Sequence, residues 1–289
     1  MVGHSIRAMR GEFILDSSCR YNLSLYYDIQ IEQSQRSSMI KATLPMYDWP
    51  EIREHTDAFW ACFQRYAGLS AALDRESPYL DPWSNPNLIF SQTCGYPFTH
   101  KFKGLLNYVA TPHYTCSGCN DASYSSFIFA RQATPLQEFH GKIPAVNAMD
   151  SMSGMLALKL VFAPFLKGGE FFERAYLSGG HLNSLQAVRE GKADVCAIDA
   201  VCVALAEKYR PEVLDGLVKI AQSPMVPSLP FVTRSGNPNH LRIALEKTFA
   251  DPYLKSTREA LLMNGVSNLG AVAYERITDL ENAMPSFNL

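Results

Sequence analysis

The stretch Asn147-Ala-Met-Asp-Ser-Met-Ser-Gly154 holds the residues best suited to chemistry, and the apolar run Met155-Leu-Ala-Leu-Lys-Leu-Val-Phe-Ala163 follows it directly. Ile143–Val146 reads as a short buried strand. Asp150 or Ser151 reads as an N-cap, and the apolar run as a helix that Pro164 ends. A helix starting there leaves its first N–H groups without internal partners. Ser151 and Ser153 add hydroxyl donors, and Gly154 admits a ligand close to the backbone. Together these make a site for an anion. An ordinary capped core helix is the alternative, but it needs only one Ser or Asp. Two serines and a glycine exceed that need and favour the anion reading.

The same strand, polar turn and helix recur elsewhere. Tyr176-Leu-Ser-Gly-Gly-His181 precedes Leu182, Leu185 and Val188 at helical spacing, with Gly191 at the C-cap. Ser178, His181 and Ser184 stand at that helix start, where His181 is equally a ligand contact or a simple cap. Ala193–Ile198 reads as a strand with Asp199 at its end. Asp199 either faces a cleft or caps the helix Val201–Glu207. Asn87–Phe90 runs into Ser91-Gln-Thr-Cys-Gly-Tyr-Pro97, whose turn carries the donors Gln92, Thr93 and Tyr96. The competing reading there is a β-turn with a buried tyrosine. Tyr47 sits between a strand-like stretch from Ile40 and the next helix, at the carboxyl end of a strand, where open α/β sheets place ligands; an ordinary half-buried tyrosine is the equal alternative. Ser125 and Ser126 open the aromatic strand Tyr124–Ala130.

The elements that must position these groups are read from periodicity and caps. Asp48-Trp-Pro-Glu51 predicts a capped helix start with Ile52, Phe59, Cys62, Phe63 and Tyr66 on its apolar face. Tyr108–Thr111 reads as a strand, and Thr134-Pro-Leu-Gln137 as a capping box for a short helix carrying Leu136 and Phe139. A further short helix is expected over Glu170–Ala175, and an extended linker over Pro224–Pro230. From His240 onward the pattern is helical through Leu262, with Gly265 as its cap. The passages Tyr124–Arg131 and Ser223–Thr233 read as strands that cross between two lobes.

At 289 residues, 47% apolar and 19% charged, the chain is long enough for two lobes with real cores. A net charge of −2 gives no electrostatic case for nucleic acid or an anionic membrane. No run is long and apolar enough to span a bilayer. Before Met39 there is no signal-peptide core with a cleavage site. The domain is therefore expected to begin near Met39, with residues 1–38 a disordered leader or the product of an upstream start. The seven cysteines, an odd count, form no disulfide framework of the small secreted kind. Cys62, Cys196 and Cys202 read as core thiols; Cys116-Ser-Gly-Cys119 has the spacing for a metal or a disulfide but, without a second pair or nearby histidines, reads as a loop feature. No metal or cofactor is expected.

Taken together, Met46-Tyr-Asp, Ser91–Pro97, Tyr124-Ser-Ser126, Asn147 with Asp150-Ser-Met-Ser-Gly154, Ser178-Gly-Gly-His181 and Ala193–Asp199 resemble the phosphonate-binding proteins of ABC importers. The resemblance runs in order from about Ile40 to the C-terminal helices. It implies an α/β, two-lobed type 2 periplasmic-binding-protein fold, each lobe a mixed sheet flanked by helices, joined by two hinge strands. Lobe 1 would span residues 39–129 and 226–289, and lobe 2 residues 130–225. It also implies that Tyr47, Ser125, Ser126, Ser151, Ser153 and Gly154 grip the ligand's oxygens, that Asp199 receives an amino group, and that Tyr96 lines the pocket. The implied partners are a small oxyanion, phosphonate or phosphate, and an ABC permease, with no membrane insertion. The resemblance implies a periplasmic location, whereas the leader, lacking an export signal, fits a cytoplasmic one. Two other functions stay open: an unexported enzyme on the same fold, with Asp199 and His181 as acid and base, and a cytoplasmic ligand sensor.

Overall fold

The computed structural model describes residues 41–78, 81–166 and 168–289, and the leader expected over residues 1–38 lies outside them. Two five-stranded mixed sheets carry the chain. The first contains β1 (Lys41–Thr43), β2 (Leu88–Gln92), β3 (Asn107–Tyr114), β12 (Phe231–Thr233) and β13 (Met263–Ser267), in the order β1-β2-β12-β3-β13. The second contains β6 (Ser126–Ala130), β7 (Pro144–Val146), β8 (Tyr176–Leu177), β9 (Val195–Asp199) and β10 (Val218–Gln222), in the order β10-β6-β9-β7-β8. Between them in sequence lies a small sheet of β4 (Cys119–Asn120), β5 (Ser123–Tyr124) and β11 (Val226–Pro227), ordered β11-β5-β4. In the first sheet β1 and β2 are parallel; in the second, β7 runs parallel to both β8 and β9. Parallel neighbours bring their carboxyl ends to the same edge, and that edge is where ligands enter such sheets.

Helices pack on both sheets, and the central strands of the second, β6, β7 and β9, are buried along their whole length. The described α-helices of five or more residues are α1 (Arg53–Ala67), α2 (Gly95–Thr99), α3 (Ala157–Phe162), α4 (His181–Arg189), α5 (Ala200–Tyr209), α6 (Pro238–Ala250), α7 (Lys255–Ala260) and α8 (Glu275–Asn282). On the first sheet, α1 buries Phe59, Trp60 and Phe63 against Phe90 and Phe231. The ring centroids of Phe63 and Phe90 stand 4.3 Å apart, and those of Phe90 and Phe231 5.3 Å apart. Offset and tilted aromatic pairs at these spacings add about 0.5–1.5 kcal/mol each beyond area burial.

Several local expectations are corrected. Asp48 does not cap α1: its carboxylate takes Arg75 Nε at 2.6 Å, Trp49 is the residue before the first turn, and Glu51 pairs with Arg210 at 2.6 Å instead of closing a capping box. Thr134 caps nothing either; the short turn Leu136–Phe139 starts from Pro135 without a side-chain bond. Residues 170–175 are irregular, not helical. After α7 the chain reverses at Leu262, with φ at +55°, and Met263–Ser267 pairs with β3, so Gly265 lies in a strand and caps no helix. The unpaired edge of β3 supplied what periodicity could not see: a partner for a segment whose own pattern fits helix or strand.

The aromatic passage expected as one strand from Tyr124 to Ala130 is two. Ser123–Tyr124 pairs with Val226–Pro227, and Ser126–Ala130 pairs with β9 and β10 in the second sheet. The chain therefore leaves the first sheet after Tyr114, enters the second at Ser126, leaves it after Gln222 and returns at Phe231.

Candidate functional site

A cavity of about 480 Å³ opens at the carboxyl ends of the parallel strands. Pro45, Met46, Tyr47 and Trp49, which follow β1, and Cys94, which follows β2, line one side. The other side comes from Asn147, Ala148, Asp150, Ser151 and Ser153 after β7, Gly179–Asn183 after β8, and Asp199 with Cys202 at and after the end of β9.

Ser151 is the N-cap, as its type predicts: its Oγ accepts the N–H of Gly154 at 3.0 Å. The helix then opens with a wide π turn over Met152–Leu156, in which Leu156 N–H reaches back to Ser151 O at 3.0 Å and Ala157 N–H to Met152 O. Such wide turns are uncommon and concentrate at functional sites. The N–H of Met152 points at Cys94 Sγ, 3.4 Å away across the cleft. The N–H of Ser153 finds no protein acceptor among the described residues. Gly154 is needed for a reason other than ligand approach: a Cβ there would sit 1.7 Å from Asn147 Oδ1, so the missing side chain makes room for Asn147.

Ser153 Oγ lies 2.9 Å from His181 Nε2, and His181 is the first residue of α4. Burial pushes the imidazole down to about 4, against a smaller pull from the Ala197 backbone, so the ring is neutral near pH 7. A neutral ring has two tautomers. With the proton on Nε2, the ring donates to Ser153 Oγ and frees the serine proton for the cavity. With it on Nδ1, Ser153 donates to the ring.

Asp199 fills both roles weighed for it. Its Oδ1 accepts the N–H of Val201 at 2.8 Å and of Cys202 at 3.3 Å, capping α5, while its Oδ2 accepts Tyr47 Oη–H at 2.7 Å. Burial pushes its carboxyl up to about 6, with those three bonds holding it back. The Tyr47 phenol is pushed well above its usual range, first by burial and then by the Asp199 charge. Tyr47 adopts φ +61°, rare for an aromatic residue, and its ring meets Tyr114 edge-on at 5.4 Å. Such outliers gather where a structure holds a side chain in one required direction.

No lysine or arginine lines the cavity among the described residues, whereas Asp150 and Asp199 both do. An anion here would rest on N–H and O–H groups, beside two carboxylates.

The twelve residues singled out from sequence divide evenly. Tyr47, Asn147, Ser151, Ser153, His181 and Asp199 line the cavity. Gln92 is buried and donates to Tyr114 Oη at 2.8 Å and Leu229 O at 3.0 Å. Thr93 is buried and bonded to its own neighbourhood. Tyr96 donates to Glu281 at 2.8 Å and stacks on His100 at 3.9 Å, away from the cleft. Ser125 Oγ donates to Gly118 O at 2.8 Å and accepts Gln222 Nε2 at 2.7 Å. Ser126 is buried opposite Asp199 in the β6–β9 pairing, its N–H on Ser223 Oγ at 2.9 Å. Gly154 supports Asn147 from behind. Trp49, Asn183 and Cys202 line the cavity without having been expected. Only Asn183 carried a signal, lying just after the Ser-Gly-Gly-His turn.

A family model described as "ABC transporter, phosphonate, periplasmic substrate-binding protein" matches residues 89–275. No curated protein matches the chain. PhnD1 of Prochlorococcus marinus, solved with methylphosphonate, superposes with a TM-score of 0.69 at 11% identity, over 86% of this chain and 98% of that one. A binding-protein component of a Pseudomonas aeruginosa phosphonate ABC transporter gives 0.65 at 16% identity, over 84% and 85%. A Xanthomonas citri protein bound to ATP gives 0.63 at 16% identity, over 85% and 96%. Structures this distant in sequence establish the fold, a two-lobed periplasmic-binding-protein architecture. The family match spans well over half of the chain and, with the strand-end cavity, leads to one conclusion: this chain belongs to the periplasmic substrate-binding proteins of phosphonate ABC transporters, whose task is to bind a solute.

Proposed function

We propose that the cavity takes a small phosphorus oxyanion carrying an amino group, an aminoalkylphosphonate, and delivers it to an ABC permease from the periplasmic side. The oxyanion head meets the Ser151–Gly154 helix start, with Ser153 Oγ and the Ser153 N–H as donors. Its approach selects the His181 tautomer that protonates Nε2, so that imidazole, serine and anion form one chain of donors. The amino group goes to Asp199 and Asp150. Tyr47 holds Asp199 in place, and Asn147 and Ser151 complete the wall. The two sheets act as lobes that close on the ligand about the two crossovers.

The observation that carries this reading is the charge of the lining. Carboxylates without cations repel a bare dianion but suit a ligand with charges of both signs. Each charge-assisted hydrogen bond contributes about 1.5–3 kcal/mol. Three or four, less the cost of ordering, reach micromolar affinity, near −8 kcal/mol. The methylphosphonate in the Prochlorococcus protein supports the head group and is silent on the amine. A thermal-shift panel of 2-aminoethylphosphonate, methylphosphonate, phosphate and sulfate tests the reading. The aminated phosphonate should raise the melting temperature most. No shift with any of the four at millimolar concentration, or a larger shift with sulfate, would overturn it.

A further inference from the structure

Four of the cysteines described, Cys62, Cys94, Cys196 and Cys202, are buried; Cys116 and Cys119 are half-buried, and their Sγ atoms face each other at 3.4 Å. The turn that brings them together is built: Cys119 N–H donates to Cys116 O at 3.1 Å, and Gly118 takes φ +83°. A side chain at Gly118 would meet Ala200 and Phe127 at 2.9 Å, so the turn lies tight against the second sheet. It is also tied to the first, through Thr115 N–H on Leu262 O at 2.8 Å. The Gly118 carbonyl accepts both the N–H and the Oγ–H of Ser125 on the outgoing crossover, and Ser125 Oγ accepts Gln222 Nε2 at the end of β10, where the return begins. Cys119 packs against all three hydrophobic cores of the described chain. This Cys-x-x-Cys turn thus joins both sheets and both crossovers. No cluster of three or more His, Cys, Asp or Glu among the described residues is placed to hold a metal, so the pair is not half of such a site.

We propose that Cys116 and Cys119 are a reversible redox site, closing to a disulfide that locks the turn of the outgoing crossover, to which the return is tied through Ser125. The inference does not rest on the ligand proposed above. Disulfide sulfurs stand about 2.05 Å apart, so closure needs roughly 1.4 Å of approach, within reach of side-chain rotation and a small tightening of the turn. The oxidant is a small-molecule disulfide. The Cys116 thiolate attacks one of its sulfurs and expels one thiolate. The Cys119 thiolate then attacks the Cys116 sulfur of the mixed disulfide and expels the second. Two protein thiols become one disulfide, and the small disulfide is reduced to two thiols. Cys116 is the attacking sulfur because the Cys119 thiol is held far above its usual range, first by its bond to Cys116 and then by burial; capping Cys116 removes the first of these.

The test equilibrates the full chain without ligand in glutathione buffers from fully reducing to fully oxidising, then alkylates free thiols and maps peptides. Amide exchange at Ser125, Ser126 and Ser223 is followed in parallel. The expected result is loss of alkylation at Cys116 and Cys119 together, a linked peptide containing both, and at least threefold slower exchange of those amides in the oxidised form. Cys116→Ser and Cys119→Ser should each abolish the slowing. If either variant fails to fold, the wild-type mapping still decides. Both thiols alkylated in the most oxidising buffer, a bond mapped elsewhere, or exchange unchanged on oxidation would overturn the proposal.

Discussion

Replacing Asp199 by asparagine should stabilise the ligand-free protein at high pH while weakening its capture of an aminated ligand. Asp199 is 2% exposed, and burial lifts its carboxyl from an ordinary 3.8 to about 6 despite hydrogen bonds from Tyr47, Val201 and Cys202. The folded state therefore binds the proton more tightly than the unfolded chain does. The stability linked to that proton is fully present below about pH 4 and is lost as pH rises through about 6. At roughly 1.4 kcal/mol per pH unit, the interval from 3.8 to about 6 amounts to about 3 kcal/mol of penalty for carrying the buried charge at neutral pH. The asparagine side chain would carry no charge, and its amide oxygen would still cap the N–H of Val201. Urea unfolding of both proteins without ligand is the assay. D199N should exceed the wild type by about 2–3 kcal/mol at pH 8, and the difference should vanish near pH 4. Equal destabilisation of the variant at both pH values would refute the reasoning, because it would mean that Asp199 acts by shape and bonding and not through a strained charge.

Ser153→Ala removes a hydroxyl donor and leaves His181 Nε2 without its partner at 2.9 Å. Affinity measured by calorimetry should fall about 10- to 100-fold, from the loss of a bond worth ~1.5–3 kcal/mol. Gly154→Ala drives a methyl into Asn147 Oδ1, 1.7 Å from where it would sit, and should cost about 1–3 kcal/mol of stability in chemical unfolding. Tyr96→Phe breaks only the 2.8 Å bond to Glu281, outside the cleft. It should leave ligand affinity within about twofold while lowering stability by ~1 kcal/mol, which a paired titration and unfolding measurement would show.

Much of the site is written in short-range chemistry, and that part is visible in the chain alone. Ser151 caps a helix because a serine before an apolar run has a backbone N–H within reach of its own oxygen. Asp199 is the last residue of β9, whereas Tyr47 lies in the turn beyond β1, which ends at Thr43 and not at Tyr47. What stays hidden depends on direction and on distant partners. Ser125 and Ser126 look alike in sequence, yet Ser125 spends its hydroxyl on Gly118 and Gln222, while it is the backbone N–H of Ser126 that goes to Ser223, a residue far along the chain. Tyr96 turns to Glu281 because α8 packs against α2, a contact that no local pattern announces. The same limit explains Met263–Ser267, which takes its identity as a strand from β3. The absence of cations around the cavity, among the described residues, is likewise a property of the assembled wall, not of any one motif.

The central claim, that an oxyanion is held at the Ser151–Gly154 helix start, is tested most directly by following backbone amide resonances while 2-aminoethylphosphonate is added. The account predicts that the Ser153 N–H, which has no protein acceptor among the described residues, moves furthest downfield and saturates at micromolar ligand. It also predicts that this shift is absent from the Ser153→Ala variant at the same concentration. A Ser153 resonance that stays in place while the ligand binds elsewhere would contradict it.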